Sequence, residues 1–110
     1  MATEQDLQEF ETQVTCPDDF DDFWSGTLES LTGISLKPVI TAEPIRSNED
    51  AHVFSVTYLS LGGLKISAWY SLPSQGEGPF PAVINFPGYK SEPPVRRDWA
   101  KKGVAVLSVA

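Results

Sequence analysis

The sequence is short of the groups on which most catalytic and metal chemistry depends. Its 110 residues include one cysteine, Cys16, and one histidine, His52. A single thiol excludes an internal disulfide and leaves no thiolate set for a zinc site within these residues; it agrees with a reducing, cytoplasmic setting. Positive charge is scarce as well, with 8 Lys+Arg against 15 Asp+Glu and a formal net charge of -7. A nucleic-acid reader presents a basic stripe interleaved with aromatics, so nucleic acid is excluded as a partner. No apolar run approaches the ~18 residues needed to cross a bilayer. Met1 to Phe10 is acidic and polar where a secretion signal would start basic and continue apolar. No membrane partner is expected. The G-x-S-x-G elbow, the Walker A loop and the G-x-G-x-x-G turn are all missing, so neither a Ser/His/Asp triad nor a nucleotide cofactor can be assembled from these residues, and no cofactor or metal is expected.

What is present is the composition of one globular unit, 41% hydrophobic and 21% charged. A chain of this size buries roughly 65% of its unfolded surface, enough for a modest core but short of the ~250 residues usual for a complete α/β enzyme. Charge is unevenly spread. Residues 1–50 hold twelve acids and two bases, Lys37 and Arg46, whereas residues 51–110 hold three acids and six bases.

The first element spans Pro17 to about Leu31. Phe20, Phe23, Trp24, Thr27, Leu28 and Leu31 recur at helical spacing, and Asp18, Asp19, Asp21 and Asp22 meet the positive end of the helix dipole. Pro17 suits the first helical position, and Gly33 can close the helix in the left-handed conformation. The aspartates lack the alternating ligand spacing and closing Glu of a calcium loop. Extended segments are expected at Val39–Ile45 and Val53–Leu61, separated by the turn-prone Ser47-Asn48-Glu49-Asp50. Gly62-Gly63 then turns the chain into a second strand, Leu64–Leu72, making a hairpin. After the proline-rich loop Pro73–Pro81, the run Ala82–Phe86 reads as a strand buried on both faces in the middle of a parallel sheet. Val95–Lys102 forms a short helix packing Trp99 and stopped by Gly103, and Val104–Val109 is a second apolar strand parallel to the first.

The fold class is therefore α/β: an N-terminal helix and an antiparallel hairpin leading into the start of a mostly parallel sheet. Residues 1–16 read as an N-terminal extension and residues 17–110 as the front of one domain. A chain ending at Ala110, with no covering helix and no third parallel strand, would leave two apolar faces and a sheet edge open, so the expectation is a portion of a longer protein.

Few side chains carry chemistry. His52, at the start of a strand, has no partnered nucleophile nearby and reads as a surface residue. Asp98 and Glu92 read as solvated or capping groups. The segment Pro81-Ala82-Val83-Ile84-Asn85-Phe86-Pro87-Gly88-Tyr89 stands out, because a buried strand ending in a glycine turn is where α/β sheets present backbone N–H groups to anions. Spacing alone gives this weak support, since every parallel sheet has such turns.

Four ordered motifs add to it. Pro17-Asp18-Asp19-Phe20-Asp21-Asp22-Phe23-Trp24 with Thr27-Leu28 resembles the "P-x-D-F-D-x-F-W-x-x-T-L" opening of the acetyl xylan esterase and cephalosporin C deacetylase family of α/β-hydrolases. Val56-Thr57-Tyr58 with Gly63 to Tyr70 and Pro73 is similar to that family's "V-T-F…G-x-R-I-x-G-W…P". Pro81-Ala82-Val83-Ile84 to Gly88-Tyr89 resembles "P-A-V-V-x-F-H-G-Y". Asp98-Trp99-Ala100 with Gly103-Val104-Ala105-Val106 resembles "D-W…A-x-x-G-Y-A-V". The resemblance spans about residues 15–109.

The resemblance implies an α/β-hydrolase-type sheet and a serine carboxylic-ester hydrolase that removes acetyl groups from small sugars, xylo-oligosaccharides or related alcohols through an acyl-enzyme. It further implies that the backbone N–H of Tyr89 forms half of an oxyanion hole. Nucleophile, acid, base and the second donor would lie beyond Ala110, so the 110-residue piece is expected to be inactive and the full-length protein to be a homo-oligomer. Pro87 stands where the family has histidine, and Lys90-Ser91-Glu92-Pro93-Pro94 replaces a glycine-rich stretch. Two other readings remain open: a non-catalytic carbohydrate-binding or interaction module using Trp69, Tyr70 and Trp99, and an α/β-hydrolase of another specificity, such as a peptidase.

Overall fold

A computed structural model describes all residues, Met1–Ala110. Five strands form one sheet: β1 (Val39–Ala42), β2 (Ala51–Leu59), β3 (Lys65–Pro73), β4 (Ala82–Asn85) and β5 (Ala105–Val109). Their spatial order is β1-β2-β3-β5-β4. The first three pairings across the sheet are antiparallel, with Ile40 opposite Val56, Phe54 opposite Tyr70 and Tyr70 opposite Leu107. The last, β4 with β5, is parallel and sets Ile84 beside Leu107. The helix α3 (Arg97–Lys101) makes the crossover that a parallel pair requires.

The hairpin forms where the glycine pair stands. Gly62 and Gly63 take φ 70 and φ 74 in a short 3-10 turn, a conformation that costs other residues steric strain. The turn before β2 is built from side chains. The Oδ1 atom of Asn48 accepts from the N–H groups of Asp50 and Ala51 at 2.9 Å each, and Ser47 Oγ accepts from Val53 N–H at 2.9 Å while donating to the Glu43 carbonyl. Ser74 ties the far end of β3 to this turn, its N–H donating to the Asp50 carbonyl and its hydroxyl to the Glu49 carbonyl.

Alternation along the strands divides the sheet into two unlike faces. Val53, Trp69, Ser71, Val106 and Ser108 face α3, and the tightest core is Ala51, Val53 and Ala100 with Trp69 and Val95 packed against it. Ser71 Oγ, almost wholly buried, accepts from Arg96 N–H at 3.2 Å and anchors the start of α3 to β3. The opposite face carries Phe54, Tyr70, Leu107 and Ile84 in one cross-strand row, with the Phe54 and Tyr70 rings 6.0 Å apart. Only α3 packs against the sheet, and it lies on the other side.

Several expectations are corrected. The long helix α2 is Phe20–Thr32 rather than Pro17–Leu31: the Pro17 carbonyl accepts from Phe20 N–H at 3.1 Å, so Pro17 begins a turn before the helix. Gly33 closes α2 at φ -79, ψ -4, in the right-handed region, because the Gly33 and Ile34 N–H groups fold back onto the Leu31 carbonyl. The stripe Phe20, Phe23, Trp24, Leu28 and Leu31 is helical as expected, but no residue of α2 is buried. The run at 82–86 is β4, which within these residues is the outermost strand, paired with β5 on one side only and exposed along most of its length. The segment at 39–45 is strand only to Ala42, beyond which Glu43–Arg46 turn. A helix not foreseen, α1 (Glu4–Gln8), is closed at its start by a reciprocal Thr3/Asp6 box. Gly103, by contrast, ends α3 at φ 85 as expected.

Candidate functional site

The segment singled out in the sequence leaves β4 at its carboxyl end. Asn85 is the last paired residue, Phe86 and Pro87 lead outward, and Gly88–Ser91 form a tight turn. Ser91 closes it twice onto the Gly88 carbonyl, through its N–H at 3.2 Å and its hydroxyl at 2.9 Å. Lys90, the third residue, has φ 57, whereas Tyr89 does not share the positive φ, which is the pattern of a type II turn.

The consequence for Tyr89 is chemical. Its backbone N–H makes no hydrogen bond within the chain, and its side chain is 90% exposed. A backbone N–H left unpaired, held by a doubly closed turn at a strand's carboxyl end, can donate to an anion without first breaking a bond within the chain. Pro87 contributes no N–H of its own and restricts φ just before the turn. The Lys90 ammonium lies over the Tyr89 ring, 5.3 Å from its centroid.

On the α3 side of the sheet a cavity of about 180 Å³ is lined by Val83 and Asn85 of β4 with Arg96, Trp99 and Val106. Arg96 is held there by Asp98 at 3.1 Å and lies 5.4 Å from the Trp99 ring centroid. Asp98 is thus an exposed ion-pair partner rather than a free acid.

The other residues weighed from sequence do not converge on Tyr89. His52 lines a separate hollow of about 330 Å³ with Ala42, Pro44, Ser47, Asn48, Val53 and Phe54, and no carboxylate or hydroxyl is bonded to its ring. Trp69 is half-buried against the core with the Arg46 guanidinium stacked 4.4 Å from its centroid, so one of the three supposed sugar platforms is covered on that face. Trp24 and Trp99 are 48% and 37% exposed, more open than core packing would leave them. No three His, Cys, Asp or Glu side chains are grouped closely enough to hold a metal ion. No helix is long and apolar enough to cross a membrane.

Lys90 and Ser91 were the site residues least visible in the sequence. A type II turn is normally signalled by Gly or Asn at its third position, and Gly88-Tyr89-Lys90-Ser91 offers lysine there.

Comparison with known proteins bears on the family and the fold. The model of the acetyl xylan esterase family matches residues 2–110. Among solved structures, acetyl xylan esterase 1 from Thermoanaerobacterium sp. JW/SL YS485 is similar with a TM-score of 0.83 and 26% identity, over 98% of this chain and 34% of that one. The acetyl xylan esterase from Paenibacillus sp. R4 shares the fold with a TM-score of 0.82 and 22% identity, over 98% of this chain and 36% of that one. The chain thus spans about a third of the length of the structures it matches.

Proposed function

This chain belongs to the acetyl xylan esterase family, and from that premise we propose that it is the N-terminal part of a serine carboxylic-ester hydrolase that removes acetyl groups from sugars or related alcohols. The observation that carries the proposal is the unpaired Tyr89 N–H at the carboxyl end of β4.

In this reading a serine from outside these residues passes its hydroxyl proton to a base, which later returns it to the leaving alcohol, and attacks the acetyl carbonyl carbon, and the carbonyl oxygen takes up the electron pair as an oxyanion. Tyr89 N–H donates to that oxygen, together with a second donor from outside these residues. The charge then returns to re-form the carbonyl as the sugar alkoxide leaves and takes a proton, and water repeats the cycle to release acetate. The part played by this chain is electrostatic. A donor fixed before the reaction needs no reorganisation as charge develops, which is what makes such groups effective. Ser91 acts by holding the turn, and Pro87 by restricting the backbone just before it.

Assembly of the longer protein as a homo-oligomer belongs to the same proposal, supported by the open apolar stripe of α2. The module reading is not favoured, because Trp69 is engaged by Arg46 and the core.

Proline at position 89 tests the proposal. It is favoured at the second position of a type II turn and removes the N–H together with the ring, so Tyr89→Ala, which removes the ring and keeps the N–H, is the matched control and is expected to retain most of the activity. In the longer protein Tyr89→Pro is expected to lower kcat on an acetyl ester by about 10²–10³, while Tyr89→Phe, which keeps the amide, stays within a few-fold. Equal activity of Tyr89→Pro and Tyr89→Phe would remove Tyr89 from the oxyanion hole.

A further inference from the structure

The turn that carries Tyr89 holds a second residue whose chemistry the reading above leaves unused. Lys90 adopts φ 57 at a position where glycine would avoid the steric cost of a side chain. Strain retained beside a candidate site points to a use for the side chain that bears it. The Lys90 ammonium rests over the Tyr89 ring at 5.3 Å from the centroid, and no carboxylate neutralises it. The chain's ion pairs are Arg46 with Glu43 and Arg96 with Asp98, and neither involves Lys90 or its neighbour Glu92. A positive charge with no ion-pair partner among these residues is therefore steadied on an exposed ring one residue from the amide donor.

We propose that Lys90 is a specificity-determining residue that selects ester substrates whose alcohol part carries a carboxylate, such as acetylated saccharides bearing a uronic acid. The inference rests on the oxyanion-hole reading of Tyr89. The negative group must belong to the alcohol because the acyl group removed, acetyl, is uncharged. A unit charge pair some 6–8 Å apart in a partly solvated rim gives a preference of about three- to tenfold, and dissolved salt screens it.

The test compares kcat/KM of the longer protein on two acetylated xylo-oligosaccharides that differ only in one glucuronic acid substituent, at low and high ionic strength. Wild type and Lys90→Arg, which keeps the charge, are expected to favour the acidic substrate about three- to tenfold at low salt, with the ratio falling toward one near 1 M salt. Lys90→Gln and Lys90→Gly are expected to lose the preference at all salt concentrations. Lys90→Gly also relieves the turn, so it reports on charge even if glutamine fits the left-handed position poorly. A preference that survives in Lys90→Gly, or none in wild type, overturns the role of Lys90. Hydrolysis of neither substrate by wild type is a different outcome, which overturns the ester-hydrolase reading itself and the role of Lys90 with it.

Discussion

Gly103 and Lys90 both occupy the left-handed region, with opposite consequences for substitution. At Gly103, φ 85, an added Cβ would meet nothing within 4 Å, so the cost of a side chain is conformational alone. Gly103→Ala is expected to destabilise the chain by about 1–2 kcal/mol, read as a lowered denaturant midpoint with unchanged slope. No loss would mean that the end of α3 tolerates another backbone path. Asp6 gives a residue-scale prediction in pH. Thr3 N–H donates to its carboxylate at 2.9 Å, and that bond, then the contact with the Thr3 hydroxyl, holds the Asp6 carboxyl below the ordinary aspartate range. A depressed folded value means that the cap of α1 is intact above the unfolded aspartate pKa and is lost as pH falls through the folded one. An NMR titration of the Asp6 carboxyl carbon should show a lowered midpoint that rises in Thr3→Ala; an ordinary midpoint in the unmodified chain would show that the capping box does not persist in solution.

Among the elements, α3 is fastened to the sheet by few groups, and Ser71 is the most informative of them. Its hydroxyl is the acceptor for Arg96 N–H, in a site that is 1% exposed. Ser71→Ala leaves that N–H without a partner and is expected to cost about 1–3 kcal/mol, with faster hydrogen exchange along α3. Unchanged exchange would assign the docking of α3 to Ala100 and Trp69 alone. The elements also differ in how far the sequence revealed them. The Gly62-Gly63 hairpin and the helix stop at Gly103 were legible because both depend on positive φ, which only glycine adopts freely. The apolar stripe of α2 gave the helix, but periodicity reports a face and not what covers it. The apolar run at 82–86 gave the strand, but within these residues only β5 pairs with it, so composition alone does not place it in the sheet. At the site, the glycine turn and Tyr89 could be read from the strand and from resemblance. The unusual φ of Lys90 could not, since lysine is no signal for a type II turn.

The molecule as a whole is spread out. Its radius of gyration is 19.6 Å, against about 13 Å for a compact domain of this size. Phe20, Phe23, Trp24 and Leu28 on α2 lie open to solvent, as do Ile84 and Phe86 at the β4 end of the sheet. On its own the 110-residue chain is therefore expected to bind a hydrophobic dye such as ANS and to associate without fixed stoichiometry as concentration rises in sedimentation, whereas the longer protein binds less dye and keeps one defined assembly size. A monomeric, dye-silent chain would mean that these faces close in another way. The function proposed above divides the chemistry in the same way: these residues would present an amide donor, and the bond-breaking side chains would come from sequence outside them. The most direct measurement is p-nitrophenyl acetate hydrolysis by the 110-residue chain and by the longer protein, each with and without a serine-directed inhibitor. The chain is expected to remain at the buffer rate and the longer protein to show an inhibitor-sensitive rate. An inhibitor-sensitive rate from the 110-residue chain alone would contradict this division.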